Sequence, residues 1–465
     1  MSDYDICVIG AGPGGYVAAI HAGRTGAKVA LIEKEYLGGT CLNVGCIPTK
    51  SLLACTDTLR AVKHSADFGV KVSEDISFDW NTMLERKNSI VGKLRSGING
   101  LLSNAGVTTF SGTASFENNT TIVITSEAGE KETITSDKTI IATGSKPAMP
   151  AFIPKSPKII DSTDLLNIQE VPKSMIILGG GVIGCEFACL FSELGTEITI
   201  VEMLPNILPE LDIEISKQMG RELKKRKIKV LTGKAFEKMS VTDAGVTGIA
   251  GRKEITADYM LVSIGRLPVT DGLNIESTDV TVTERGFIPV DNSCKTNIPN
   301  IYAIGDVTGR IQLAHLASAM GITAAENVCG KSDNFSDLLV PGCIFTNPEI
   351  GTIGITQQKC EEQGLDINIG KFPFAALGKA MAINEPTGFC KIIADAKTDR
   401  ILGVHIIGAH ATDLIAEAVT AIEKKTTATE LGKFIHAHPT LGEIMMEAAH
   451  AVHGKSVHVP VMKKR

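Results

Sequence analysis

The chain has 465 residues, 43% hydrophobic and 21% charged, with a formal net charge of −6 and a pI near 6.0. That length exceeds what one hydrophobic core organises and suggests roughly three domains of 100–200 residues, while the acidic balance and the short basic runs, at 224–227 and the C-terminal KKR, argue against a nucleic-acid partner. The longest apolar stretch, near 175–191, is interrupted by glycines and by Glu186, so no membrane span is expected.

At the N-terminus, YDICVIGAGPGGYVAAIHAGRTGAKVALIEK reads as an apolar strand, a turn carrying Gly10, Gly12 and Gly15, a helix, and a second strand ending at Glu33. The first glycine permits a tight strand-to-helix turn, the second lets backbone approach a pyrophosphate, and the third lets helix and strand pack closely. The free N–H groups and dipole of the helix start favour phosphate, and Glu33 is placed to accept ribose hydroxyls. Asp3 and Asp5 stand where an export signal needs positive charge, so export is not expected, and a start at Met1 without an Arg-rich, Ser-rich presequence leads to the expectation of a bacterial cytoplasmic protein.

Next, GTCLNVGCIPTK at 39–50 sets Cys41 and Cys46 in a glycine-rich stretch. Eleven cysteines, an odd number scattered from Cys7 to Cys390, do not make a secreted disulfide framework. No second cysteine pair or nearby histidine completes a zinc ligand set, so no metal is expected. A redox-active pair and a pair of inert buried thiols both remain open on the residues alone.

TIIATGSKP at 139–147 reads as a strand into a glycine turn. Residues 175–202 then repeat the opening plan with Gly179, Gly181, Gly184 and Glu202, and Gly179 precedes Glu202 by as many residues as Gly10 precedes Glu33. Two dinucleotide fingerprints imply two cofactors with a hydride passing between them, for which a tightly held flavin and a diffusible nicotinamide are the natural pair. The first copy, followed closely by the cysteines, is assigned to FAD. At the second, the Glu202 carboxylate repels a 2′-phosphate and Met203-Leu204-Pro205 supply no arginine to receive one, which favours NAD over NADP. NIYAIGDV at 300–307 is a strand ending in Gly305-Asp306, whose aspartate would reach ribityl or pyrophosphate hydroxyls. In FIHAHPTLGEIMMEA, an imidazole near a carboxylate suits general acid–base work, and the bond before Pro439 is a candidate cis peptide.

The segments GAGPGGYVAA, GGTCLNVGCIPTKSLL, ATG, GGGVIGCEFA, NIYAIGDV, QLAHLAS and HAHPTLGE, in this order over essentially the whole length, resemble the pyridine nucleotide-disulfide oxidoreductases. The resemblance implies an α/β fold with two Rossmann-like dinucleotide-binding domains, for FAD and NAD, and a C-terminal α+β dimerisation domain. The implied bounds are 1–146 for the first part of the FAD domain, 147–270 for the NAD domain, 271–341 for the second, central part of the FAD domain, and 342–465 for the interface domain. It implies a homodimer.

By that resemblance, Cys41 is the interchange thiol that attacks a substrate disulfide and Cys46 lies against the flavin. A regular helix would hold their Cα atoms more than about 7 Å apart, beyond the roughly 6.8 Å that a disulfide spans. A kink is therefore expected, with Gly45 and Pro48 as its means. The resemblance also sets Lys50 beside the flavin and pairs it with Glu186, makes His438 the base with Glu443 as its partner, and leaves His436 out of that role. The implied FAD contacts are Gly10, Gly12, Gly14, Gly15, Glu33, Lys34, Gly39, Thr40, Lys50, Ala114, Thr143, Gly144, Asp306, Leu313, Ala314 and His315. For NAD they are Gly179, Gly181, Val182, Ile183, Gly184, Glu186, Glu202, Ala235 and Gly265.

The implied reaction is reoxidation of a protein-bound dihydrolipoyl group with NAD+ as final acceptor. The partners would be lipoyl domains of 2-oxo acid dehydrogenase complexes or an H-type protein of glycine cleavage. Glutathione-reductase-like activity would call for arginines after Glu202, and mercuric-reductase-like activity for a cysteine pair in the tail SVHVPVMKKR; neither is present. A flavoprotein with a mainly scaffolding role is the alternative from another class.

Overall fold

A strand whose central residues are all apolar has no polar face to show to water, so it belongs in a sheet covered on both sides. Such strands organise both halves of this chain. In the computed structural model, which describes residues 2–73, 75–336 and 339–460, Val29–Glu33 is buried over its first four residues and Ser174–Leu178 over its middle three. The basic run Lys463-Lys464-Arg465 lies outside the described residues. The α/β class read from the sequence, with two glycine-loop sheets and a C-terminal α+β part, is the class observed.

The chain divides into two units. The first comprises Met1–Pro150, Asp161–Glu170 and Gly265–Asp337. Its sheet runs, in spatial order, Thr108–Ser111, Val29–Glu33, Tyr4–Ile9, Lys131–Ile141 and Ile301–Ala303, all parallel, with Ile9 level with both Ile32 and Ile141. Thr113–Phe116 and Thr121–Thr125 extend it as an antiparallel meander onto the start of Lys131–Ile141. Ile9, Ile32, Phe116, Ile122, Ile141 and Ile301 pack in one core, each such burial contributing about 1.5–3 kcal/mol.

The second unit comprises Ala151–Ile160, Val171–Ile264 and Leu338–Arg465. Its parallel sheet has the same plan: Lys229–Leu231, Glu197–Val201, Ser174–Leu178, Tyr259–Val262 and Ile159–Ile160. Here too an antiparallel meander, Phe236–Thr242, Gly245–Ala250 and Lys253–Ala257, comes in the chain between two parallel strands, Lys229–Leu231 and Tyr259–Val262. The repeat seen in the glycine motifs thus extends to strand order and to the excursion between strands. The rest of this unit is a five-stranded antiparallel sheet, Gly342–Ile344, Glu349–Gly354, Ile401–Gly408, Phe389–Asp395 and Ile367–Pro373, with helices Ala411–Glu423 and Glu443–Val452 against it. No helix among the described residues is long and apolar enough to cross a membrane.

A buried ionic cluster ties this sheet to the helix Ile213–Lys225. Asp212 caps that helix by accepting the Glu214 N–H at 3.0 Å, and also accepts the Gln357 N–H at 3.1 Å. Lys391 donates to both Asp212 oxygens at 3.0 Å and to Gln357 Oε1 at 2.6 Å, with both charged side chains fully buried. A charge so placed is tolerated only when paired and fully hydrogen-bonded. His405 lies directly across the ladder from Lys391. Its Nδ1 is 2.5 Å from the Thr352 hydroxyl and its Nε2 is 3.1 Å from the Ile355 carbonyl, the pattern of a neutral ring that accepts at one nitrogen and donates at the other.

Burial holds the pKa of His405 below its ordinary 6.5. Burial pushes Asp212 up, but His405 and Lys391 outweigh it and leave its carboxyl below 3.8. Both folded values are depressed, so both groups contribute stability above their unfolded values that is lost as pH falls through the folded ones. The histidine acts first. The urea midpoint should begin to drop as pH falls below about 6.5, and His405→Gln should flatten the upper part of that decline. A variant profile identical to the wild type would show that His405 has no part in it.

Candidate functional site

Backbone carbonyls and amides can meet face to face only where no Cβ intervenes. Tyr4–Ile9 runs into Gly10, whose φ of +99° and 2.5 Å spacing from an added Cβ to the Ala142 carbonyl oxygen admit glycine alone. The helix Pro13–Arg24 then begins after Gly12 with no side chain capping it and proline in its first turn, so its leading N–H groups stay available. A Cβ on Gly15 would fall 1.9 Å from the Gly10 carbonyl oxygen, and one on Gly14 would lie 2.9 Å from that of Ala317. Gly12, in contrast, has open space where a side chain would be.

Glu33 holds this loop from the side. One carboxylate oxygen accepts the Ala11 N–H at 2.7 Å and the other the Glu35 N–H at 2.8 Å, while Lys34 between them is exposed. The second unit repeats the device: Glu202 accepts Gly180 N–H at 2.6 Å and Leu204 N–H at 2.7 Å. Gly179 has φ +107° with the Ser263 carbonyl oxygen 2.5 Å from an added Cβ, a Cβ on Gly184 would lie 2.2 Å from the Gly179 carbonyl oxygen, and Gly181 again stands open at an uncapped helix start. Val182, Met203 and Leu204 are exposed around this loop, Ile183 is half-buried, and Ala235 is exposed just ahead of the strand Phe236–Thr242. Gly265, with φ +132°, falls in the first unit rather than with these residues.

The dithiol segment is seated on the first loop. Gly38 N–H donates to the Ala11 carbonyl at 2.8 Å, and a Cβ on Gly39 would lie 2.6 Å from the Gly12 Cα. From there one helix spans Gly39–Val44 and a second Cys46–Lys63, with Gly45 between them at φ −146° and ψ −112°. The kink expected from Gly45 and Pro48 is made by Gly45 alone. Pro48 lies in the first turn of the second helix, where its missing N–H costs nothing.

Cys41 is partly buried and hydrogen-bonded to Cys46, and both stand as thiols. The bond from Cys46 and then burial push the Cys41 thiol up; Lys50, one turn further along, pulls it down. Two residues missed in the sequence brace this loop. Asn43 donates to the Leu37 and Gly39 carbonyls at 3.0 and 2.9 Å and accepts from Arg95 at 2.7 and 3.1 Å. Arg95 also lies over the Tyr36 ring, 4.8 Å from its centre. An arginine 52 positions along in a long helix carries no sequence signal of this contact.

The remaining predicted flavin residues gather in the same unit. Thr143 donates to the Val269 carbonyl at 2.6 Å, and Gly144 has φ +69°. Asp306 follows Gly305, φ +70°, at the end of Ile301–Ala303, and accepts from the Ser145 hydroxyl at 2.5 Å. Leu313 caps the helix opening with Ala314 and His315, Thr40 is exposed on the dithiol helix, and Ala114 is buried in the core beside Ile9 and Ile32.

In the second unit, His438 Nδ1 is 2.9 Å from Glu443 Oε1 and the His438 ring is 76% exposed, which leaves Nε2 outward. The His438–Pro439 bond is cis. Thr440, another residue not read from the sequence, donates its N–H to the second Glu443 oxygen at 2.9 Å. Burial pushes Glu443 up, but the Thr440 N–H and His438 outweigh it and hold the carboxyl below its ordinary range. His436 has both ring nitrogens engaged, with Glu417 at 2.8 Å and the Phe434 carbonyl at 3.0 Å, so it cannot serve as a free base. Glu186 is buried and accepts the Phe345 N–H at 2.9 Å; its predicted partner Lys50 belongs to the first unit.

Residues 4–321 match the family model described as pyridine nucleotide-disulphide oxidoreductase, and residues 340–449 match that family's dimerisation domain. A dihydrolipoyl dehydrogenase from Chlamydia muridarum is 43% identical, covering 99% of both chains, and one from Bacillus subtilis is 41% identical, covering 98% of this chain and 99% of its own. Among solved structures, the HOCl-induced flavoprotein disulfide reductase RclA from Escherichia coli gives a TM-score of 0.87 at 29% identity over 97% of this chain and 99% of its own. LpdA from Mycobacterium tuberculosis gives 0.89 at 24% identity over 96% and 99%, a likeness of fold alone.

The glycines of the first loop separate folding from binding. Gly15→Ala forces a Cβ into a carbonyl and should lower the melting temperature of the flavin-free protein by several degrees. Gly12→Ala meets nothing in the protein and should leave it unchanged within about 0.5 kcal/mol. At a site that presents this backbone to a pyrophosphate, the same methyl should weaken flavin retention on the order of tenfold. Equal effects of the two substitutions on folding and on flavin would refute that division.

Proposed function

The chain belongs to the pyridine nucleotide-disulphide oxidoreductase family, and on that premise we propose that it reoxidises protein-bound dihydrolipoyl groups with NAD+ through FAD and the Cys41–Cys46 pair. The observation that carries this reading is the seating of the broken helix 39–63 on the first glycine loop. That contact holds a hydrogen-bonded cysteine pair beside the uncapped helix start that suits a dinucleotide. The residues fit FAD: an open Gly12 at a helix N-terminus, a clamped acid at 33, and an aspartate at 306 with one oxygen held by Ser145. When bound, the flavin would accept an electron pair from the dithiol and pass it as hydride to NAD+.

The thiol chemistry is that of this chain's own residues. With Cys41 and Cys46 as a disulfide, a dihydrolipoyl thiolate attacks the Cys41 sulfur, forming a mixed disulfide and releasing the Cys46 thiolate. The second substrate thiolate then attacks the substrate sulfur bonded to Cys41. That closes the lipoyl disulfide, frees Cys41 and leaves the electron pair on the protein dithiol. The substrate loses two protons; one leaves with the electron pair as the hydride of NADH and one is released. His438, with its outward Nε2 and Glu443 at Nδ1, is suited to take the first, since a carboxylate at Nδ1 strengthens the imidazole as a base.

The dimerisation-domain match supports a homodimer, and in it His438 would serve the partner's flavin site. The names of the relatives support lipoyl domains or an H-type protein as partners. Reduction of NAD+ by free dihydrolipoamide, abolished in Cys41→Ser, tests the reaction; a failure of dihydrolipoamide where glutathione succeeds would overturn it.

Glu202 is already committed to two amides and would meet a 2′-phosphate with negative charge, with no arginine at 203–205. NAD should be preferred over NADP by at least about tenfold, on the order of 1.4 kcal/mol, and equal catalytic efficiency with the two would count against the site.

His438→Gln should cost on the order of 10²-fold or more in turnover. A mixed dimer of one Cys41→Ser chain and one His438→Gln chain should keep about half of wild-type activity, because both lesions fall in one of its two shared sites. A mixed dimer as inactive as its parents would mean that His438 serves its own chain.

A further inference from the structure

Arg266 and Ser145 belong to none of the assigned roles, yet they are tied to the flavin half-site. The segments on which the chain leaves and re-enters the first unit pair as a short antiparallel ribbon, Ser145–Pro147 with Arg266–Pro268. Arg266 Nε donates to the Ser145 hydroxyl oxygen at 2.7 Å, and its Nη2 donates to the Ser145 carbonyl at 2.7 Å. The Ser145 hydroxyl, its lone pair occupied by the guanidinium, points its proton at Asp306 Oδ2, 2.5 Å away. Arg266 Nε itself stands 4.0 Å from that oxygen. Among the described residues no donor reaches Asp306 Oδ1.

A hydroxyl is a rotor with one proton and two acceptor positions, so what it donates to is decided by what already occupies its lone pairs. A guanidinium gripping both the side chain and the backbone of one serine removes that freedom. It also carries charge into a largely buried place, where the Arg266 side chain is 15% exposed. Burial disfavours that charge, and Asp306, Asp161 and Cys46 are close enough to favour it.

We propose that Arg266 is a positioning residue of the flavin site: through Ser145 it holds Asp306 by one oxygen so that Oδ1 faces a hydroxyl of the flavin's ribityl or pyrophosphate portion. This rests on the reading of the first unit as a flavin site. Hydrogen bonds to a fixed carboxylate act on cofactor retention.

The test uses the flavin-loaded dimer in five forms: wild type, Arg266→Met, Arg266→Lys, Ser145→Ala, and the Arg266→Met/Ser145→Ala double variant. Flavin release is followed by the fluorescence of freed FAD. Folding is followed separately by the melting temperature of each flavin-free variant. Arg266→Met and Ser145→Ala should each release FAD on the order of tenfold faster, and the double variant no faster than Arg266→Met alone, since both lie on one path. Arg266→Lys should release FAD as fast as Arg266→Met, because an ammonium lacks the fork that grips both the hydroxyl and the carbonyl of Ser145. Additive losses in the double variant, or wild-type release in Ser145→Ala, overturn the proposal even if Arg266→Met does not fold. A wild type that binds no flavin would instead overturn the functional reading beneath it.

Discussion

The first half of the molecule depends on backbone lying against backbone at one place. Gly10, Gly15 and Gly39 each stand where a single added carbon would strike a main-chain atom, at 2.5, 1.9 and 2.6 Å respectively. This crowding turns the strand Tyr4–Ile9 sharply into the helix Pro13–Arg24 and brings the segment bearing Cys41 onto the loop. Because the contacts are between main chains, their geometry does not vary with rotamers. A cysteine pair seated this way keeps its distance from whatever the glycine loop holds, and that fixed distance is what electron transfer between a dithiol and a flavin requires.

Charge is then added at a few points, and always in company. Glu33 and Glu202 each commit both oxygens to amides, one in the glycine loop and one two residues downstream. A carboxylate so committed has a set orientation, and its remaining lone pairs face one direction. The same pattern recurs at Glu443, shared between His438 and the Thr440 N–H, and at Asp306, shared with Ser145. At each of these places the acid also fixes the group that it holds. The cluster of Lys391, Asp212, Gln357 and His405 obeys the same rule for a purely structural end, joining a helix start to a sheet with no charge left unpaired.

The duplicated plan explains why one chain can manage two nucleotides. Each parallel sheet places its glycine-loop strand third from one edge, between the strand that ends in the acid and the fourth, and each inserts an antiparallel meander before that fourth strand. The copies diverge immediately beyond the acid. After Glu33 comes Lys34 and then the glycine-rich dithiol segment; after Glu202 come exposed Met203 and Leu204. Under the proposed function, the first frame would serve the flavin and its thiols and the second the nicotinamide.

Local spacing determined much of this. The glycine triplets, the acids downstream of them, the strand that ends at Asp306 and the break between Cys41 and Cys46 were all legible, because each rests on a steric demand within a few residues of itself. Where local logic offered two means for one effect, it could not choose: the break falls at Gly45, and Pro48 is merely tolerated in the next turn. Nor could it separate the two histidines of FIHAHP by chemistry, since what distinguishes His436 is Glu417 on the distant helix Ala411–Glu423. The tertiary structure alone decided the long-range polar partners: Arg95 on Asn43, Arg266 on Ser145, Lys391 on Asp212 across 179 positions. Glycine sterics repeat wherever the motif does and so leave a mark in the sequence. A hydrogen bond between distant residues leaves none, because any donor on any element that folding brings within about 3 Å would serve as well.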